Sequence, residues 1–163
     1  MTLWQRVNAR LGSSRLLRLM RFYPPYLGAG IRVTEVAQDL RTLTVEMDLT
    51  AWNRNYVGTH FGGSLYAMCD PFYMFMVIQA LGPGYVVWDK AATIDFLKPG
   101  RGRVTARFEL PEDRLAQIRA EVAENGKSHP RFEVAVRDQE GDTVARVGKV
   151  LSVRPKAAEP SDQ

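Results

Sequence analysis

The chain has 163 residues, 45% hydrophobic and 25% charged, the size and balance of one globular domain with a real core, which sets aside disorder as the default reading. Its single cysteine, Cys69, excludes an internal disulfide, and with only His60 and His129 beside it no clustered His/Cys metal site can be assembled, although a carboxylate site for a hard cation stays open. The net charge of +4 is modest but unevenly placed: residues 1–34 carry Arg6, Arg10, Arg15, Arg18, Arg21 and Arg32 and neither Asp nor Glu.

Between those arginines sit Leu3, Trp4, Val7, Leu11, Leu16, Leu17, Leu19, Met20 and Phe22, which predicts a basic amphipathic helix over residues 1–22, broken near Gly12. The preferred reading packs its apolar stripe on the domain with the arginines in water. A membrane-surface helix and a mitochondrial transit peptide are the alternatives, while the lack of an uninterrupted apolar stretch argues against a secretory signal. A lone cysteine inside an apolar segment fits a reducing compartment, and the cytoplasm is the expected location. Tyr23-Pro24-Pro25-Tyr26, with Gly28 and Gly30, reads as a linker or tight loop.

Residues 31–37 form a short strand with imperfect alternation. Gln38-Asp39 then turns into a strand over 40–49, in which Leu43, Val45, Met47 and Leu49 interleave with polar residues at period two. Residues 52–59 are a loop. From Phe61 to Leu81 the chain is apolar on every side of a prospective helix, with Asp70 as its one charge, so protein must enclose it. A membrane span is the poorer choice, because Asp70 and Pro71 leave only the stretch 72–81 uninterrupted, too short for a bilayer.

Gly82-Pro83-Gly84 ends that helix. Tyr85-Val86-Val87-Trp88 opens a strand reading as buried on both faces and continuing to about residue 97, followed by a positively charged turn, Pro99-Gly100-Arg101-Gly102. Alternation marks strands at 103–110, at 131–137 and, less cleanly, at 145–153, where Ala145, Val147, Lys149, Leu151 and Val153 share one face. Leu115, Ile118 and Val122, after Pro111-Glu112-Asp113 and before Gly126, predict a short surface helix. An apolar helix and several strands apolar on one face give an α+β domain whose sheet curls around the helix. The expected organisation is an N-terminal helix and linker over 1–30, one domain over 31–154 and a polar tail over 155–163.

Asn55-x-x-Gly58-x-x-Phe61-Gly62-Gly63, followed by Leu65, Met68 and Asp70, resembles the helix-start motif of hot-dog-fold acyl-CoA thioesterases of the phenylacetyl-CoA thioesterase type. The stretch Ala92-Thr93-Ile94-Asp95-Phe96-Leu97-Lys98-Pro99-Gly100 resembles their long third-strand segment, and the resemblance as a whole covers roughly residues 34–153. The resemblance implies an antiparallel sheet of about six strands around one long helix. It also implies a homodimer, with a dimer of dimers as a further option, whose active site lies between protomers. Asp70 takes the position of the acid that activates water or attacks the thioester. Gly62 and Gly63 offer backbone N–H groups to the carbonyl, and Asn55 matches the loop asparagine. Phe61 stands where that family has histidine, with His60 displaced by one residue.

The substrate implied is an acyl-CoA, so coenzyme A enters only as part of the substrate and no other cofactor is expected. His60, Phe61, Tyr66, Tyr73 and Thr93 are candidates for contact with it; Tyr66, Phe72, Tyr73 and Met76 set chain length if they face the acyl tunnel. Lys98, Arg101 and Arg103 are candidates for the phosphates, since guanidinium and ammonium groups suit them, although solvated turn charges are the preferred reading. No nucleic-acid role is expected, because beyond the N-terminus the charges mix. Duller readings stand beside these: Asp70-Pro71 as cap and first residue of a restarted helix, Asn55 as a turn residue, His60 as an exposed loop side chain, Cys69 as an inert buried thiol. The functional alternative is a hot-dog protein that binds acyl-CoA without hydrolysing it. Enoyl-CoA hydration on the same fold lacks its paired His and Asp motif.

Overall fold

A computed structural model describes residues 13–156. The polar residues from 157 onward and the start of the basic segment, residues 1–12, lie outside this range. Its elements are α1 (Ser13–Leu19), a 3-10 turn (Met20–Phe22), α2 (Pro24–Ala29), β1 (Ile31–Val36), β2 (Thr42–Asp48), α3 (Gly62–Ala67), α4 (Phe72–Leu81), β3 (Tyr85–Phe96), β4 (Arg103–Glu109), α5 (Glu112–Asn125), β5 (Arg131–Arg137) and β6 (Thr143–Pro155). The strands form one antiparallel six-stranded sheet in the order β1-β2-β4-β5-β6-β3, and the 62–81 segment packs along its inner face: a hot-dog fold.

Alternation explains the sheet. Leu43, Val45 and Met47 of β2 pair in register with Phe108, Ala106 and Val104 of β4, and Val134 and Val136 of β5 pair with Val147 and Ala145 of β6, all on the core side and buried. Against them lie Leu65, Met68, Phe72, Tyr73, Met76 and Val77 of the central segment. Burying each larger side chain stabilises the fold by about 1.5–3 kcal/mol. Ring contacts lock the helix to the sheet: Phe72 and Tyr73 each stand 5.2 Å from Phe108, and Tyr73 stacks on Phe132 at 4.5 Å. The stretch Gly62–Leu81 is long and apolar enough to cross a membrane by length and composition; the sheet covers one side of it, and Met74, Phe75 and Ile78 are only partly buried, so the expected enclosure on every side is not met within one chain.

Three expectations need correction. Tyr23-Pro24-Pro25-Tyr26 is not a linker: the prolines open α2, where their fixed φ suits a first turn and their missing N–H groups cost nothing, and Gly30 closes it in the left-handed conformation. The strand at 85–96 is not buried on both faces, for β3 is an edge strand and Trp88 is 69% exposed. Asp70 does not cap the restart of the long central helix Gly62–Leu81. That helix breaks at residues 68–71, where Asp70-Pro71 is a cis peptide; Pro71, not Asp70, stands at the N-cap position of α4, with no side-chain cap bond. In the described part of the N-terminal segment, Leu17 and Met20 are buried while Arg15, Arg18 and Arg21 are exposed, the arrangement expected of an amphipathic helix packed on its domain.

Candidate functional site

The candidate residues fall into two groups separated along the central helix. The first surrounds a cleft of about 540 Å³ at the start of α3, lined by residues of the 55–62 loop and of the turn after β3. Gly62 and Gly63 open α3, ahead of its first backbone bonds, which Ser64 and Leu65 donate to the Phe61 carbonyl. Their N–H groups thus belong to the donor-rich, partly positive end of the helix. The Gly62 backbone lies so close to Phe96 that a Cβ there would come within 2.9 Å of the ring.

Asn55 and Asn53 shape this loop. Asn55 Oδ1 accepts from the N–H groups of Val57 and Thr59, and its Nδ2 donates to Thr59 Oγ1 and the His60 carbonyl, so both ends of its amide are spent holding the turn. Buried Asn53 accepts from the Thr50 N–H, donates to the carbonyls of Ala29 and Asp48, and receives the Phe61 N–H on its own carbonyl. Sequence reasoning passed over Asn53, and nothing in its local spacing distinguishes it from a turn residue.

His60 is not an exposed loop side chain: it is 2% exposed, closed over by Gly100, where a Cβ would meet its ring. Its Nε2 lies 2.9 Å from the Gly102 carbonyl, which can only accept, so Nε2 carries the proton. Nδ1 is left as a buried acceptor without a protein partner among the described residues. Burial lowers the His60 pKa, against the opposing bond to Gly102 and the charge of Asp48, so the ring is held neutral. Phe61 is exposed.

The three phosphate candidates differ sharply. Lys98 is held by Asp138 and Asp142, each at 2.7 Å, and Arg103 by Asp48 at 2.7 Å with Glu46 at 3.6 Å. The Arg103 and Arg32 guanidiniums in turn hold Asp48 below the usual carboxylate range. Arg101 also lines the cleft, and among the described residues no carboxylate pairs with it.

The second group is at the break between α3 and α4. The Asp70 carboxylate, its side chain 40% exposed, accepts from the ammonium of Lys149, which is 1% exposed. Asp89 Oδ1 lies 2.9 Å from the same ammonium as an ion-pair contact rather than an aligned hydrogen bond, and the Tyr66 hydroxyl is 3.4 Å away. Burial opposes the charge on Lys149, but the two carboxylates outweigh it and keep its pKa above the ordinary lysine value. The Tyr26 hydroxyl donates to the Asp70 backbone carbonyl. Burial, with the nearby Asp70 charge, pushes the Tyr26 phenol well above its usual range, and burial does the same to the Cys69 thiol.

Lys149 was the principal residue missed. Its signal was present, since it occupies an inward position in the alternation of β6, where a charge is out of place. The remaining candidates do not join either group. Tyr73 is core, its hydroxyl donating to the Glu133 carbonyl and its pKa pushed up to about 12, chiefly by burial. Phe72 and Met76 are likewise buried in the core. Thr93 pairs with Gly148 on β6 at an exposed position of the edge strand.

Gly62 and Asp70 are eight positions apart, roughly 12 Å at a helical rise of ~1.5 Å per residue.

The family model described as "Domain of unknown function (DUF4442)" matches residues 12–153. No curated protein matches the chain. Among solved structures, a Pseudomonas aeruginosa protein of unknown function described as a probable thioesterase superimposes with a TM-score of 0.75 at 20% identity, covering 88% of this chain and 97% of that one. A Chlorobaculum tepidum protein of unknown function gives 0.70 at 19% identity, with 88% and 94% covered. A Haemophilus influenzae thioesterase gives 0.65 at 16%, with 90% and 94% covered. These likenesses establish the shared hot-dog fold.

Proposed function

The chain belongs to the DUF4442 family, and from its site we propose that it is an acyl-CoA thioesterase working as a homodimer. The observation that carries this reading is the cleft itself: the donor-rich start of α3 at Gly62 and the unpaired guanidinium of Arg101 open on one space, suited to a carbonyl and to phosphate respectively. Gly62 or Gly63 N–H polarises the thioester carbonyl, and Asp70 of the second protomer deprotonates the attacking water. The carbon–sulfur bond breaks, and the coenzyme A thiolate leaves and takes up the proton. Pairing of the β3 edges of two copies extends the sheet and lets one chain's Asp70 approach the other's Gly62, which answers the separation within a single chain.

The reading is tested by thiol release from short, medium, long and aryl acyl-CoA thioesters. Turnover with at least one is expected; binding of these thioesters by calorimetry with no thiol released would establish the non-catalytic binder instead. Among the described residues, Arg101 alone of the three basic candidates has no carboxylate partner. Arg101→Ala should raise KM for acyl-CoA about tenfold, the loss of one charge-assisted contact, with kcat retained. Hydrolysis of the matching N-acetylcysteamine thioester, which has no phosphate, should not change. An equal effect on both substrates rules out the phosphate contact.

A further inference from the structure

We propose that Lys149 is a positioning residue of this site, fixing the Asp70 carboxylate from inside the sheet while Asp89 anchors its ammonium from the other side; the proposal rests on the thioesterase reading of Asp70. On β6, Lys149 lies between Val147 and Leu151 on the core face, in register with Ala92 of β3 and Phe132 of β5. The fold does not ask for a charge there. A flexible apolar side chain such as methionine fills such a slot without losing hydration, and buried ion pairs commonly give no more stability than apolar packing in their place.

The ammonium nevertheless points at the one acid of the central segment, at the place where that segment is interrupted. Asp70 is thereby held twice, by Tyr26 on its backbone carbonyl and by Lys149 on its carboxylate. Asp89 at 2.9 Å and the Tyr66 hydroxyl at 3.4 Å occupy the other sides of the ammonium, so it has few directions in which to turn. A buried ammonium aimed at a carboxylate that is 40% exposed is arranged for work rather than for packing. Misplacing a reacting group by about 1 Å can cost ~100-fold in rate.

The test measures kcat and KM for wild type, Asp70→Asn, Lys149→Met and Asp89→Asn, with circular dichroism and urea midpoints for each. The expected result is a kcat per folded molecule for Lys149→Met lowered about 10- to 100-fold with KM within twofold; the urea midpoint falls as well, because Asp70 and Asp89 lose their shared counter-ion. Asp89→Asn, which leaves Lys149 in place but frees its far side, should lower kcat several-fold in the same pattern. It also decides the matter if Lys149→Met does not fold. An active wild type, an inactive Asp70→Asn, and kcat unchanged in Lys149→Met and Asp89→Asn would overturn the positioning role and leave the thioesterase reading standing. A large drop in urea midpoint with kcat per folded molecule preserved would make the cluster a structural prop and overturn the proposal as well. A wild type that hydrolyses no thioester brings down both.

Discussion

Asp70→Asn is expected to lower kcat for acyl-CoA hydrolysis by about 10³-fold, within the range that loss of a positioned base costs, while the fold survives. The amide has the size of the carboxylate, and its oxygen still accepts from Lys149, whose charge keeps Asp89 as a partner. What disappears is the anion that takes the proton of water or attacks the thioester carbon. The same variant's parent separates those two roles. In a single turnover in heavy-oxygen water, a general base places solvent oxygen in the product acid. A nucleophilic Asp70 gives up its own unlabelled oxygen first, through an anhydride that water then opens at the aspartyl carbonyl. Retention of a tenth or more of the wild-type rate by Asp70→Asn would remove Asp70 from the chemistry.

The fold was legible because its signals are local. Alternation in β2, β4 and β5 and the apolar run after Pro71 need no knowledge of distant partners. The site was legible only in part, because its meaning depends on pairings across the sheet. Lys98, Arg101 and Arg103 look alike in sequence; Asp138 and Asp142, 40 and 44 residues away from Lys98, neutralise it, and Asp48 neutralises Arg103. Lys149 stood at an inward place in its strand, but its partner Asp70 is 79 residues earlier, so an irregular alternation was all the chain displayed. Thr93 and Tyr73 were assigned by motif, and motif says nothing about which face of a strand or helix a side chain takes. Pro24-Pro25 misled for a different reason: proline breaks a helix interior yet suits its first turn, and only the following Gly30 marks the difference.

Gly62→Pro should lower kcat by about 10²–10³-fold, the usual cost of removing one oxyanion donor, with little change in helix content. Proline deletes the first of the two N–H groups proposed to bind the carbonyl, and no backbone bond that the fold uses. Gly62 is the first residue of α3, a place where proline's φ already fits, and Phe61 before it is extended at φ −63°, ψ 127°, the conformation that a following proline favours. The ring crowds Phe96, but that side chain is exposed and free to swing away. The sharper consequence concerns the second protomer. If each site joins Gly62 of one chain to Asp70 of the other, mixing the two inactive variants rebuilds one complete site in every hybrid dimer. Turnover should then return to about a quarter of wild type, since half of randomly exchanged dimers are hybrids with one good site of two. A mixture that exchanges subunits yet stays inactive would mean that both groups serve within one chain or that one of them does not act at all.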